Sequence, residues 1–440
     1  MRYEKIKSAI LIFLVLFSII ITYSLWTYQP NYGTMENPSY VAEVSLSEQK
    51  EIKKIVKPDR LFFHVKGEHF GTENSGEMDR LTREMSRWNF FDMNGHAEKA
   101  EAIKELCERS GNAEIIFPGE VPIGIYRNVL NFDDKKIPAF SFDRIIINTD
   151  NTDKDFGDVY FVSIVNQQVY SSHIARSFLN EFNRNFFKNA VHYPRYFVLN
   201  TKQKRTIYLP DSPTDMMQYE YLPVTLNSEQ FKEALFSDPS FVRKSIIPGG
   251  EEYTNGSSKM NIDSSNNMLL YVNPTEDNNY VANSYDLLKR SIDFVNDHGG
   301  WTDLYRYVAM DERNQKVIFR LYSNEGYPVF NESGMSEITE VWGRNEINSY
   351  VRPNIALELP LRSEMVMVTR PSGHEALAYL QSQKHLKPEM LEDMVLGYRM
   401  ERDSEEQKLI LLEPTWFYLY NKSWGEITMD ELGGWKHGLE

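Results

Sequence analysis

Apolar positions fall along this chain in two regimes. Over residues 8–26 (SAILIFLVLFSIIITYSLW) they are almost continuous: there is no charge, and twelve of the thirteen positions 9–21 are apolar, Ser18 being the exception. As a helix rising about 1.5 Å per residue, this run reaches roughly 30 Å, the depth of a bilayer's hydrocarbon core. It predicts a transmembrane helix. Arg2, Lys5 and Lys7 precede it, and the next charge after it is Glu36. Tyr23, Trp26, Tyr28 and Tyr32 crowd its far end as an interfacial belt would. The predicted topology is a cytoplasmic stub over 1–7, a span over 8–26 and an extracellular body. The run is long for the apolar part of a signal peptide, and no small-x-small cleavage pattern follows it. Basic residues on one side only argue against a buried core helix.

Beyond the span, apolar residues alternate or recur at helical spacing in short stretches. Residues 31–40 form a polar spacer. A helix follows, opening at the capping-box pattern Ser45-x-x-Glu48 and stopping at Pro58, so 27–60 reads as juxtamembrane spacer and helix. Strand patterns are predicted over 61–66, 141–149 and 159–170, with helices over 76–88, 97–109 and 174–187. Further on come a hairpin from Tyr196, a helix over 228–236, a Gly, Ser and Asn-rich loop over 248–267, a strand over 268–273 and a helix over 284–297. The remainder predicts strands over 304–311, 316–322, 337–342, 347–351, 394–400 and 409–420, with a helix capped at Ser372. The class is α+β, in three exported pieces: 61–195, 196–300 and 301–440.

Composition narrows the function. The chain has 440 residues, of which 41% are hydrophobic and 13% aromatic, which excludes a disordered chain. The formal net charge is −15. Residues 1–26 hold three basic residues and Glu4, net +2, which leaves −17 on residues 27–440. A body of that sign lacks the positive field that displaces counterions from nucleic acid. The single cysteine, Cys107, excludes an intrachain disulfide, a multi-cysteine zinc site and an iron–sulfur cluster. It sits beside Ile103 and Leu106 on the inner side of a predicted helix and reads as a small buried hydrophobe.

Catalytic patterns are not assembled. His64 and His69 in HVKGEH resemble H-x-x-E-H with one residue too many, and His374-Glu375 begins an H-E-x-x-H whose last position is Ala378. Neither sets two imidazoles on one helical face. The P-loop, the dinucleotide glycine fingerprint and G-x-S-x-G do not occur. No catalytic, cofactor-binding or metal-binding residue is therefore assigned.

Residues 18–32 (SIIITYSLWTYQPNY), a span preceded by Lys5-x-Lys7 and running into L-W-T-Y-Q-P-N-Y, resemble the start of the YycH family. These are regulatory membrane proteins of Gram-positive bacteria acting on the WalK (YycG) sensor histidine kinase. Leu396-Gly397-Tyr398, followed by Leu412-x-Pro414-x-Trp416, is similar to that family's closing segment. The resemblance implies a non-enzymatic regulator that associates with a WalK-like kinase and a YycI-like companion at the membrane and adjusts control of cell-wall genes. It also implies that the membrane helix carries contacts. Helix association in lipid depends on close packing and polar side chains, so Ser18 and Thr22, four apart on one face, are the candidates, with Leu11, Leu14 and Val15 extending the face and Trp26 at its end. A second reading is an anchored surface enzyme, or a peptide- or glycan-binding domain, with an unrecognised site. The aromatic stretches 301–307 and 416–420 would then line a groove rather than fill a core.

Overall fold

The computed structural model describes residues 49–427 apart from 135–136, 151–154, 202–204, 277–281, 362–364, 384–385 and 404–407, together with Val15 and Ser18. Met1–Val41 and Ala42–Glu440 are separate compact units. In the first, Val15 and Ser18 are helical and exposed. Arg2, Lys5, Lys7, Leu11, Leu14, Thr22 and Trp26 lie outside the described residues, as does the capping box at Ser45 and Glu48. Among the described residues no helix is long and apolar enough to cross a membrane. The predicted span at 8–26 therefore stands on the sequence.

The second unit is α+β and built on three main sheets. The first has ten strands in the order Ile207–Pro210, Arg195–Leu199, Glu68–Thr72, Arg60–Val65, Asn112–Pro122, Ser141–Asn148, Phe156–Ser163, Gln168–Ala175, Asn89–Ala97 and Asn131–Phe132. Its central strand explains how both faces are covered. In Ser141–Asn148, six consecutive residues are buried, because successive side chains point to opposite faces and each face has a helical cover. Ile145 and Ile147 join the main core with the helices Ser75–Met85 and Arg176–Asn185. Ile146 points the other way and packs with Val162, Ile103 and Cys107 of the helix Ala100–Glu108. Cys107 is 1% exposed, as its neighbours predicted, and burial holds its thiol well above the ordinary range.

The second sheet is wholly antiparallel: Arg243–Ile247, Gly250–Thr254, Lys259–Asp263, Met268–Val272, Ile347–Pro353, Glu337–Trp342, Lys316–Leu321 and Tyr305–Asp311. The helix Ser284–Asp297 covers one face, burying Leu287, Leu288, Ile292 and Val295. Asn283 caps it by accepting from Asp286 N at 3.0 Å. Gly299 ends it at φ +103°, where a Cβ would also lie 2.5 Å from the Phe231 ring. The third sheet runs Val329–Phe330, Leu391–Arg402, Ile410–Tyr420, Thr214–Tyr221 and Val366–Arg370, with Ser423–Ile427 also paired to Ile410–Tyr420. Strands from both sides of residue 300 thus share the second and third sheets.

Three local expectations differ from what the chain does. Residues 159–170 are not one strand: Phe156–Ser163 and Gln168–Ala175 form a hairpin whose tight turn places Gln167 at φ +53°. The predicted loop over 248–267 contains the strands Gly250–Thr254 and Lys259–Asp263. Its turn glycines, Gly249 at φ +81° and Gly256 at φ +91°, dominated the composition, while the strands themselves are polar because they lie toward an open sheet edge. The helix predicted to begin at residue 97 starts at Ala100, because Ala97 still pairs with Gln168.

The first and second sheets meet at Gly119. A Cβ there would stand 2.5 Å from the Val308 carbonyl oxygen, so only glycine admits this approach. Next to it, the Tyr307 hydroxyl donates to the Glu120 carbonyl at 2.7 Å.

Within the second sheet, Glu340 is fully buried, accepts from the Trp342 indole at 3.1 Å and is pushed by burial to a pKa of about 8. The folded chain then holds a proton that the unfolded chain releases near 4.5, so stability falls as pH rises between these values. Glu340→Gln should be nearly neutral at about pH 4 and stabilising by a few kcal/mol at about pH 9, since each tenfold difference in proton affinity between folded and unfolded chain is worth ~1.4 kcal/mol. Urea unfolding at the two pH values checks this, and a mutational effect independent of pH would refute it.

Candidate functional site

Where the three sheets converge they leave a cleft of ≈ 1080 Å³. One wall is the uncovered face of the second sheet, with Ala309, Ile318 and Arg320. The opposite wall is the third sheet, with Val395, Arg399, Phe417 and Leu419. Asp59, Arg60 and Pro118 line it from the first sheet. Strand alternation decides which side chains face inward. Phe417 and Leu419 line the cleft, whereas Trp416 points to the opposite face, is 1% exposed and sends its indole N–H to the Pro371 carbonyl at 3.0 Å. Of the aromatic stretches singled out in the sequence, Trp301, Tyr305 and Tyr307 are core, and only part of 416–420 reaches the groove.

The cleft's polar groups are held in pairs. Arg60 makes a two-pronged bond to Asp393, Nη1 to Oδ1 at 3.0 Å and Nη2 to Oδ2 at 2.9 Å, joining the first sheet to the third. Burial disfavours this guanidinium, but Asp393 and Asp59 hold its pKa well above the usual value. Asp393 opposes the upward pull of its own burial through Arg60 and stays below the usual range, whereas burial raises Asp59. Across the cleft, Arg320 donates from Nε and Nη2 to Glu337 Oε1 at 3.1 and 2.6 Å. Its guanidinium lies 4.4 Å from the Phe330 ring centre and 5.6 Å from that of Trp424. Phe330 stacks on Phe417 at 4.0 Å and meets Trp424 at 5.0 Å. These residues are scattered over positions 60, 320, 330, 399 and 424. No local motif links them, and only the sheet topology brings them to one cavity.

The histidines noted in the sequence form a second polar cluster. His64 and His69 are direct cross-strand partners in the hairpin that turns at Lys66 and Gly67. Their five-residue separation, which defeats a helical arrangement, is what sets them side by side here. The Nδ1 atoms lie 2.7 Å apart, so one ring donates and the other accepts. His64 Nε2 is 3.3 Å from Glu114, which also pairs with Arg144 and accepts from the Tyr208 hydroxyl at 2.7 Å. Burial tends to raise Glu114, but Arg144 and His64 bring it down to about 2. His69 falls to about 4 through burial and the neighbouring His64. His374 is elsewhere: its ring stacks on Phe197 at 3.8 Å and Nε2 reaches Asp211 at 3.1 Å, docking the helix Gly373–Ser382 on the first sheet's edge. Among the described residues no group of three or more His, Cys, Asp and Glu could hold a metal ion.

Two measurements test this geometry. Arg60→Ala leaves Asp393 and Asp59 buried without their cation and should cost about 3–5 kcal/mol; a loss below ~1 kcal/mol in urea unfolding would contradict the seam. His69 binds its proton more weakly when folded, so its contribution is present above about pH 6.5 and is lost as pH falls toward 4. Stability relative to His69→Asn should decline across that window, and a flat difference would count against the paired rings.

Comparison with known proteins places these features in context. Residues 4–190 match the family described as "YycH protein, N-terminal domain", and residues 204–433 match "YycH protein, C-terminal domain". A curated relative from Bacillus subtilis (strain 168), "Two-component system WalR/WalK regulatory protein YycH", is 26% identical over 455 residues, covering 98% of each chain. The crystal structure of YycH from Bacillus subtilis superposes with a TM-score of 0.73 at 22% identity, covering 87% of this chain and 99% of that one. At that identity the superposition speaks for the fold.

Proposed function

The chain belongs to the YycH family, and on that premise we propose that it is a membrane-anchored regulator of a two-component system rather than an enzyme. The observation that carries this reading is the match, over 98% of both chains, to a protein named as a WalR/WalK regulator. The apolar run at 8–26, with basic residues only before it, supplies the anchor and sets the N-terminus inside. Residues 27–440 then form an extracellular α+β body. Its partners are a WalK-like sensor kinase and a YycI-like membrane protein, and its output is the control of cell-wall genes.

Coupling is placed in the membrane helix. Ser18 and Thr22 share a face with Leu11, Leu14 and Val15, and Trp26 closes it. An interhelical hydrogen bond in lipid contributes about 1 kcal/mol or less, so packing along the whole face has to add to it. A coupling of about 1–3 kcal/mol between the body's state and that packing changes kinase output several-fold.

Replacing 8–26 with a polyleucine helix keeps the anchor and removes the face. Co-purification of the kinase from membranes and expression of its target genes should both fall. Unchanged association and output would sink the transmembrane mechanism, and the same result on deleting 1–27 would sink membrane anchoring as a requirement.

A further inference from the structure

The stretch that leads into the strand Arg60–Val65 is bonded to all three sheets in turn. It first crosses the helix of the second sheet. Gln49 Nε2 donates to Asp297 Oδ1 at 3.2 Å, and the Asn296 side chain pairs with the Lys50 peptide unit, accepting from its N–H at 2.9 Å and donating to its carbonyl at 3.3 Å. Lys50 Nζ reaches the Asp303 carbonyl at 2.6 Å. Lys57 then donates to Asp79 at 2.7 Å and to Ser75 at 3.2 Å, on the helix Ser75–Met85 of the first sheet. The same Ser75 hydroxyl accepts from Arg306 of the second sheet at 3.0 Å. Asp59 accepts from the Tyr322 hydroxyl at 3.4 Å, just past the strand Lys316–Leu321, and Arg60 ends the series on Asp393 in the third sheet. Asp59, Arg60, Tyr322 and Asp393 all line the cleft.

The two halves of this stretch are held differently. Ile55, Val56, Lys57, Pro58 and Arg60 are buried. Glu51, Lys53 and Lys54 are exposed, and the single helical turn Ile52–Ile55 has no side-chain cap. One turn does not stand alone in water, and the apolar contact beneath it is incomplete: a hollow of ≈ 310 Å³ is lined by Ile52, Asn128, Ile292 and Asn296. The Lys50 ammonium rests on a carbonyl rather than a carboxylate, and burial lowers its pKa against the pull of Asp303. Each hydrogen bond at this end contributes only about 0.5–1.5 kcal/mol net. A segment with few apolar contacts and water-exposed bonds opens before the rest of a fold does.

We propose that residues 49–60 form a releasable strap, whose first half docks on and leaves the helix Ser284–Asp297 and whose docking tightens the contacts that its second half makes across the cleft. Docked, the turn Ile52–Ile55 is formed and Lys57, Asp59 and Arg60 are held in register with the three sheets. Released, that turn unwinds, and the bonds to Asp79, Tyr322 and Asp393 loosen together. The bistable element is the strap itself, bound or free. The inference concerns the body alone and holds whether or not residues 8–26 span a membrane; where they do, this is the stretch through which the span connects to the cleft.

The test is hydrogen exchange, read by mass spectrometry, on the full chain in detergent. The double variant Gln49→Ala/Lys50→Met removes the docking side chains and leaves the bond between Trp301 and Asn296 intact. Amides of 52–56, where Val56 N–H bonds the Ile52 carbonyl, should exchange about tenfold faster, as loss of one or two hydrogen bonds gives. Amides of Leu391–Arg402, across the cleft, should also speed up, while those of Gln168–Ala175, which none of these bonds touches, should keep their rate. Lys53→Ala, at the exposed pair with Glu51, should leave Leu391–Arg402 as in the parent. In Asp393→Asn, a near-isosteric change that weakens the Arg60 link, the double variant should still speed 52–56 and add nothing at Leu391–Arg402. Unchanged exchange at 52–56 overturns the docking, and a change confined to 49–56 overturns the link to the cleft. So does a rise that includes Gln168–Ala175, which marks general destabilisation, or the same increment at Leu391–Arg402 with and without Asp393→Asn.

Discussion

A guanidinium taken out of water needs acceptors for its donors and compensation for its charge, and at the junction of this molecule carboxylates supply both. Arg60 ends up nine-tenths buried between the first and third sheets because Asp393 meets it with both oxygens and Asp59 adds a second negative charge. The pair is not a source of stability in itself, since an apolar pair of similar volume often does as well. Its effect is on arrangement: misplacing either partner strands a charge, so the two sheets have one way to meet. The Tyr307 hydroxyl on the Glu120 carbonyl and the bare approach at Gly119 impose a comparable restriction between the first and second sheets.

The cleft is a consequence of those seams. One continuous apolar core runs through the sheets, with Trp88, Phe90 and Phe161 packing at the first sheet and Trp342, Tyr350 and Phe294 at the second. Along the cleft, charged pairs such as Arg60–Asp393 and Arg320–Glu337 stand where that core stops, and the space between the walls remains open. Strand alternation then turns Phe417 and Leu419 toward that space and Trp416 away from it. A family with a member named as a two-component system WalR/WalK regulatory protein thus has, in this chain, a cavity lined by paired charges and aromatic rings.

Elements with a strong local period were legible in advance. The helix Ser284–Asp297, with an apolar stripe and two glycines after it, is as its pattern predicts, and so is the helix capped at Ser372, where the Glu375 side chain completes a capping box. The α+β class followed from the same periodicities. The strands Gly250–Thr254 and Lys259–Asp263 were not legible, because polar strands near an open edge share the composition of the turns that join them. The pairing of His64 with His69 was also missed: the spacing was weighed for a helix, and Gly67 makes it a hairpin.

The sequence alone determined what depends on neighbours along the chain: the apolar run at 8–26, the sign of the charge on either side of it, the single buried cysteine and the periodic helices and strands. It also contained the family resemblance, whose motifs are contiguous. The tertiary structure alone decided which distant residues share a cavity. Arg60, Arg320, Phe330, Arg399 and Trp424 come from separate strands spread between residues 60 and 424, and their meeting depends on sheet order and register. A one-residue slip in register would turn each of them to the opposite face.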